Sequence, residues 1–240
     1  RHCACARPSF LARTHSPAAL AEAAALHDVA IISEAFAITG TGTTDLAHLG
    51  RARQQLHLPT ALGGAGLLSL ATVSPAAFAA ATTTAIAAVY PLVPILRPHL
   101  ALGANSPIPA IADLERLHRQ SADMNARLNA TWASWDSVTD HCPDVGPQHR
   151  FHPRGLPRTS NLAFQPLAKL VRLPPLALAA LQSAYVRTAH HALWLDLHQR
   201  HATDAADDLR YQSVLLDVSQ PGAGGWLDAI PSCLPLRIST

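Results

Sequence analysis

The stretch SPAALAEAAALHDVAIISEAFAITG, from Ser16 to Gly40, carries helix signals at both ends and along its length. Ser16 can cap the N-terminus, Pro17 is favoured at the first helical position, and glycine is a common terminator. Five residues recur at helical spacing and would lie near one face of this helix: Leu20, Ala24, His27, Ile31 and Phe36. The stretch therefore predicts a helix over residues 17–38.

Similar signals recur along the rest of the chain, chiefly Ser-Pro and Pro-Pro pairs and Thr or Asp at helix starts. They predict further helices over residues 43–56, 75–90, 111–135, 175–201 and 204–218. No run alternates between apolar and polar residues as a half-buried strand would. We therefore expect an all-α fold, in the form of an irregular helical array.

A proline-rich stretch divides this array. Residues 142–166 contain five prolines and Gly155, which favour a loop over a helix. We therefore predict two helical halves, at 5–141 and 167–238, joined by a Pro/His-rich linker at 142–166.

The composition narrows the class of protein. The chain has 240 residues, of which 14% are charged, and a formal net charge of +2. This low charge content excludes a highly charged disordered tail, and the balance of charges does not by itself indicate a nucleic-acid partner.

The bias towards arginine, histidine and proline indicates a GC-rich gene, and the start at Arg1 suggests a piece of a longer reading frame. Four irregularly spaced cysteines do not form a disulfide framework, so we expect an intracellular protein of nucleus or cytoplasm.

An uncharged segment between Pro75 and Pro91 could be mistaken for a membrane span. As a helix, residues 76–90 would extend roughly 22 Å, which is short of the ~30 Å hydrocarbon core. Three consecutive threonines at 82–84 also make its hydrophobicity modest. We expect a buried helix and no membrane partner.

Four residues in and just before the proline-rich stretch are candidate metal ligands: His141, Cys142, His149 and His152. Structural zinc sites usually combine a C-x₂₋₄-C pair with an H-x₃₋₅-H pair, and neither half of this cluster fits that spacing. We therefore expect no metal site, and a small zinc-dependent enzyme built on these four residues is the less favoured alternative.

Other possible catalytic motifs lack the required context. Glycine clusters at 63–66 and 222–225 follow no predicted strand and match no phosphate-binding spacing, so they indicate turns. Asp207-Asp208 could hold metal ions for nucleotidyl transfer, but this pair lies in a polar helical context that favours a solvated face. We assign no catalytic residue.

The long polar helix carries a candidate nucleic-acid interface. Basic side chains beside aromatic rings suit phosphate pairing and base stacking. The basic residues are Arg116, His118, Arg119 and Arg127, and the aromatic ones are Trp132 and Trp135. Arg116, Arg119 and Arg127 share a face by their spacing. Acidic residues interleave at 113, 115 and 123, so an ordinary solvated helix face is the alternative.

Several segments together resemble one family. In chain order they are RPSFLART (7–14), HD (27–28), QLHLP (55–59), LGGAGL (62–67), PAAF (75–78) and QPGAGGWLDAIPS (220–232). Their order and spacing resemble the region just downstream of the polymerase domain in reverse transcriptases of non-LTR retrotransposons. Two positions depart from that pattern: Ala65 replaces a leucine, and Leu68 stands where the family prefers arginine.

The resemblance implies a helical thumb and connection region that packs on a polymerase domain and contacts the template–primer duplex. The family's catalytic aspartates, and the Mg²⁺ that they hold, would lie before Arg1, so no cofactor is expected in this stretch. The function implied is weak, sequence-independent template–primer binding without catalysis. A helical protein-interaction module and an inert element remnant are the alternatives.

Overall fold

The computed structural model describes residues 8–39, 46–140 and 163–199. Within these ranges the regular structure is helical and contains no strand, so the predicted all-α class is confirmed for this part of the chain. The α-helices are α1 (Ser9–Thr14), α2 (Pro17–Thr39), α3 (Leu46–Leu56), α4 (Leu70–Val89), α5 (Leu96–Leu102), α6 (Pro109–Asp140), α7 (Leu167–Leu170) and α8 (Leu181–Gln199). Short 3₁₀ helices occur at Thr60–Leu62, Gly103–Asn105 and Pro175–Leu178.

Most of the predicted long helices are confirmed, with small shifts at their ends. Helix α2 matches the prediction to within one residue, and α3 ends at Leu56 as expected. Helix α6 extends further at both ends than predicted. The helix predicted from 175 instead begins as a 3₁₀ turn and continues as α8. The predicted helix at 204–218 lies outside the described residues.

The predicted start of α4 was wrong. Ser74-Pro75 was interpreted as its beginning, but α4 begins at Leu70 and Pro75 lies inside it. The true N-cap is Ser69, whose Oγ accepts a hydrogen bond from the backbone N–H of Thr72 at 3.0 Å. Pro75 removes one bond to the carbonyl of Ala71, and this is tolerated because Ala71 is exposed.

Helix α4 lies at the centre of the packing. It contacts α1, α2, α6 and α8 along its length. Its small residues pack against α6 and α8 in the main core cluster, which includes Ala76, Ala80, Leu114, Leu167, Leu170, Leu181 and Tyr185. Helices from both sides of the predicted linker therefore share one cluster. The domain boundaries themselves stay predictions, since residues 141–162 lie outside the described part.

Two smaller clusters extend this core. One surrounds the fully buried Trp194 and includes Leu58 and Leu128. The other joins α1 and α2 to the beginning of α4 through Ala12, Leu20 and Leu70. Together they hold α1, α2 and the 58–62 turn against α4 and α8.

Among the described residues, α4 is long and apolar enough to cross a membrane by length and composition, with a mean hydropathy of 1.4. Half of this apolar window is buried inside the fold, as a core helix requires. The absence of a membrane partner stays a prediction from the sequence.

Candidate functional site

The arginines of the predicted interface lie exposed on α6, and two of them are paired. Arg116 forms an ion pair with Asp113, one turn earlier. The Nε of Arg119 donates to Oε1 of Glu115 at 3.0 Å. The two arginine side chains remain 59% and 65% exposed. The side chains of Asp113 and Glu115 are less accessible, at 31% and 13% exposed, but both guanidinium groups face solvent, so an incoming phosphate can compete for them.

Arg127 differs from these two arginines. Its side chain is exposed and, in the part of the chain that the structure describes, it forms no ion pair. It lines a groove of about 830 Å³ between α4, α6 and α8, which Asp196 also lines. Arg116 and Arg127 are three helical turns apart and about 20° apart around the axis, so they share a face as predicted.

The structure does not bring Trp132 to that face. Trp132 lies about 160° around α6 from Arg116. It is partly buried, and its ring centroid is 6.0 Å from that of Trp194. The apolar spacing of Leu128 and Trp132 was the signal that could have placed this ring in the core. The side chain of Trp135 lies outside the described residues.

His118 does not add charge to α6, contrary to its interpretation as a basic residue of the helix surface. It is buried, and its Nδ1 lies 2.8 Å from the Tyr185 hydroxyl of α8. Burial lowers the pKa of His118 and outweighs the opposing effects of the hydrogen bond that its ring donates to the backbone of Gln165 and of the charge of Glu115. Burial likewise raises the pKa of Tyr185. The pair is a neutral polar link between α6 and α8.

The candidate metal ligands His141, Cys142, His149 and His152 lie outside the described residues. Where the structure describes the chain, no three His, Cys, Asp or Glu side chains come together as a metal site would require.

The most elaborate polar arrangement surrounds Asp28 of α2. Its Oδ1 accepts from the backbone N–H of Leu70 at 2.7 Å, and its Oδ2 accepts from the Ser69 hydroxyl at 2.7 Å. The backbone N–H of Ala71 donates to Oδ2 at 3.2 Å, and Nδ1 of His27 lies 3.0 Å from Oδ1. Burial alone would raise the pKa of Asp28, but these hydrogen bonds outweigh it and lower the pKa. The carboxylate therefore caps α4 from another helix.

His27, Asp28 and Ser69 are the residue types of a hydrolytic triad, but their order is wrong. In a triad the histidine lies between serine and aspartate and removes the proton from the nucleophile. Here Asp28 lies between the other two, and Ser69 is only 4% exposed. The Nε2 of His27 is buried and has no hydrogen-bond partner among the described residues. The trio is a helix cap and not a nucleophilic site.

The glycine cluster at 63–66 forms the turn that the sequence predicted. Gly63 and Gly66 have φ values of 77° and 70°. The backbone N–H groups of Gly63, Gly64 and Gly66 donate to carbonyls within the turn, so they do not form a phosphate cradle. Gly64 packs so closely that a Cβ there would lie 2.0 Å from the carbonyl oxygen of Leu58.

Two side chains hold this turn in place before α4. The Nε2 of Gln55 donates to the carbonyl of Gly63 at 3.0 Å, and Nδ1 of His57 lies 3.0 Å from the carbonyl oxygen of Leu67. The turn therefore delivers Ser69 to the Asp28 carboxylate. The sequence alone assigned no role to Asp28, since the groups that it caps, at Ser69, Leu70 and Ala71, lie more than 40 residues away.

No protein-family model, curated protein or solved structure matches this chain. The resemblance to retrotransposon reverse transcriptases therefore depends on the sequence segments.

Proposed function

We propose that this chain is a non-catalytic helical region, similar to the thumb and connection of a non-LTR retrotransposon reverse transcriptase, that binds nucleic acid without sequence preference. One observation carries the proposal. Five of the resembling segments, at 7–14 (described from 8), 27–28, 55–59, 62–67 and 75–78, meet around the N-terminal end of α4. These segments therefore belong to one packing unit, as the residues of a shared structural element would.

The contacts among these segments are specific. Helix α1 packs along α4, and its Ala12 lies in one cluster with Leu70 and Ala77. Asp28 caps α4, and the 55–67 turn leads into that cap. The segment 75–78 lies within α4 itself. The resembling residues thus serve to position helices, which suits a binding region better than an enzyme centre.

The proposed interface consists of Arg116, Arg119 and Arg127. Their guanidinium groups would bind backbone phosphates of the template–primer duplex, which gives affinity without base readout. Trp132 is not part of this interface, since it packs on Trp194. Because Asp113 and Glu115 compete for two of the arginines, we expect weak binding, near the ~10⁻⁴ to 10⁻⁶ M of non-specific complexes.

The second partner under this proposal is the polymerase domain of the parent enzyme. Several large apolar side chains of α1 and α2 face solvent, namely Phe10, Leu26, Val29 and Ile38, which are 55–82% exposed. Leu26 and Val29 are neighbours on the surface of α2 by their spacing. The same exposed residues also favour the second candidate function, a helical protein-interaction module.

A labelled primer–template duplex tests the proposal by fluorescence anisotropy. The variant Arg116→Ala/Arg119→Ala/Arg127→Ala should bind more weakly than the wild type. The corresponding triple Arg→Lys variant should retain binding, because phosphate contacts need the charge. As a control, Arg13→Ala/Arg53→Ala removes two exposed charges elsewhere and should change little. Equal loss in the control would contradict a defined interface.

Primer extension with Mg²⁺ or Mn²⁺ tests the non-catalytic part of the proposal. We expect no template-dependent product from this chain. A product that Asp207→Ala abolishes would contradict the proposal, and stoichiometric zinc that is lost on His149→Ala would favour the zinc-enzyme alternative.

A further inference from the structure

A second basic surface lies away from the arginines of α6. Arg97 of α5 and Arg172, just after α7, line one notch of about 460 Å³. Tyr90 forms a further wall, and the remaining lining is apolar, from Leu100, Ala101, Ala168 and Val171. The volume falls in the range of about 300–1,000 Å³ that is typical of small-molecule sites.

The charged side chains that line this notch are both arginines. Residues 46–112 and 163–195 contain no aspartate or glutamate, and these two stretches supply every residue of the lining. Lys169 adds a further exposed cation on α7. Within the described ranges neither Arg97 nor Arg172 forms an ion pair, in contrast to Arg116 and Arg119. Among the described residues, the notch therefore offers two guanidinium groups that form no ion pair with a carboxylate.

The first of these groups is already held in position. The Cζ atom of Arg97 lies 5.6 Å from the ring centroid of Tyr90, within cation–π distance. A stacked guanidinium keeps its outward N–H groups available, and their planar fork matches the oxygens of a phosphate. The ring and the guanidinium also provide flat surfaces against which a planar group can stack, beside the apolar walls.

We propose that the notch formed by Tyr90, Arg97 and Arg172 binds a phosphate monoester that carries a planar ring, of the size of a mononucleotide. The arginines bind the phosphate, and the apolar walls with Tyr90 cover the ring. This site is independent of the proposed duplex interface, since none of Arg116, Arg119 and Arg127 lines the notch.

Isothermal titration of the full chain with AMP, with adenosine and with inorganic phosphate tests this site. We expect saturable binding of AMP and weaker binding of the two fragments. The variant Arg97→Ala/Arg172→Ala should lower the affinity for AMP by roughly tenfold or more, because the phosphate loses its hydrogen bonds to both guanidinium groups. The proposal would be overturned if adenosine bound as tightly as AMP. It would also be overturned if none of the phosphate-bearing ligands showed saturable binding.

Two variants control for folding and for general charge. Arg172→Ala alone should also weaken AMP binding, and it leaves the Arg97–Tyr90 contact intact. Arg13→Ala/Arg53→Ala removes the same number of charges outside the notch and should leave the affinity unchanged. Equal weakening in this control would show non-specific attraction and overturn the site.

An oligonucleotide pair identifies the source of the monoester. The same strand is titrated with a 5′-phosphate and with a 5′-hydroxyl. If the natural ligand is the end of a strand, the 5′-phosphorylated strand binds more tightly than the 5′-hydroxyl strand, and this difference is lost in Arg97→Ala/Arg172→Ala. If a free nucleotide is the source, AMP binds and the two strands do not differ. Either result supports the phosphate site, and neither depends on the duplex interface of α6.

Discussion

The Asp28 carboxylate accepts the backbone N–H of Leu70 at 2.7 Å, across 42 positions of the chain. Helix α4 thus begins on a side chain of α2, in addition to its local cap at Ser69. The negative charge of this carboxylate also interacts favourably with the positive, N-terminal end of the dipole of α4. Because α4 contacts most of the other long helices, this one carboxylate positions the centre of the fold.

Asp28→Ala should lower the free energy of unfolding by about 2–3 kcal/mol. The substitution removes a charged acceptor from two backbone N–H groups and one hydroxyl. Urea denaturation measures the change. Glu22→Ala, an exposed carboxylate of the same helix, is the matched control and should shift stability by less than about 0.5 kcal/mol. Equal small effects of both substitutions would show that the cap does not stabilise α4.

Gly64→Ala should destabilise the chain by about 3 kcal/mol or more, because the new Cβ would overlap the carbonyl oxygens of Leu58 and Gln55. Gly50→Ala is the opposite case. Gly50 lies within α3, and a Cβ there meets nothing within 4 Å, so this substitution should stabilise by about 0.5–1 kcal/mol. Thermal unfolding of both variants distinguishes them, and two shifts of the same sign would contradict the geometry of the turn.

Stability should fall as the pH drops below about 6.5, in part because of His191 in α8. Burial, together with the charges of His190 and Arg187, lowers the pKa of His191 to about 3. The unfolded chain takes up a proton near the ordinary pKa, whereas the folded chain does not, so acid favours unfolding. Between pH 7 and pH 5.5 the wild type should lose about 1 kcal/mol more than His191→Gln.

The exposed His15 provides the control for this pH dependence. In His15→Gln, the free energy of unfolding should change with pH as steeply as in the wild type. Urea denaturation at each pH measures this slope. An unchanged slope in His191→Gln would mean that His191 binds a proton in the folded chain.

Asp113→Asn/Glu115→Gln should strengthen duplex binding by several fold. These near-isosteric changes remove the carboxylates that pair with Arg116 and Arg119, so both guanidinium groups become available to phosphates. Fluorescence anisotropy with the labelled duplex measures the affinity. Asp123→Asn, an exposed carboxylate of the same helix, is the control for net charge and should have a smaller effect. Asp123→Asn removes one charge where the double variant removes two, so a gain in log K at least half as large from Asp123→Asn would point to net charge and not to the two pairs.

What the sequence could predict was local. The signals at Ser16, Pro17 and Gly40 lie beside the helix that they bound, and the spacing of Glu115 and Arg119 lies within one helix. The start of α4 was missed because half of its cap comes from Asp28, on a different helix. The notch could not be predicted either, since Arg97 and Arg172 become neighbours only through the packing of α5 on α7.

The salt dependence of duplex binding tests the proposed function most directly. Each phosphate neutralised on B-DNA contributes a slope of roughly −0.9 in log K against log salt, so three arginines predict about −2.7. We expect the slope of the wild type to lie between two limits. It would be about −0.9 if only Arg127 neutralises a phosphate and about −2.7 if all three arginines do. The slope should fall towards zero in Arg116→Ala/Arg119→Ala/Arg127→Ala. Binding without salt dependence, or a slope that this triple substitution leaves unchanged, would contradict nucleic-acid binding through α6.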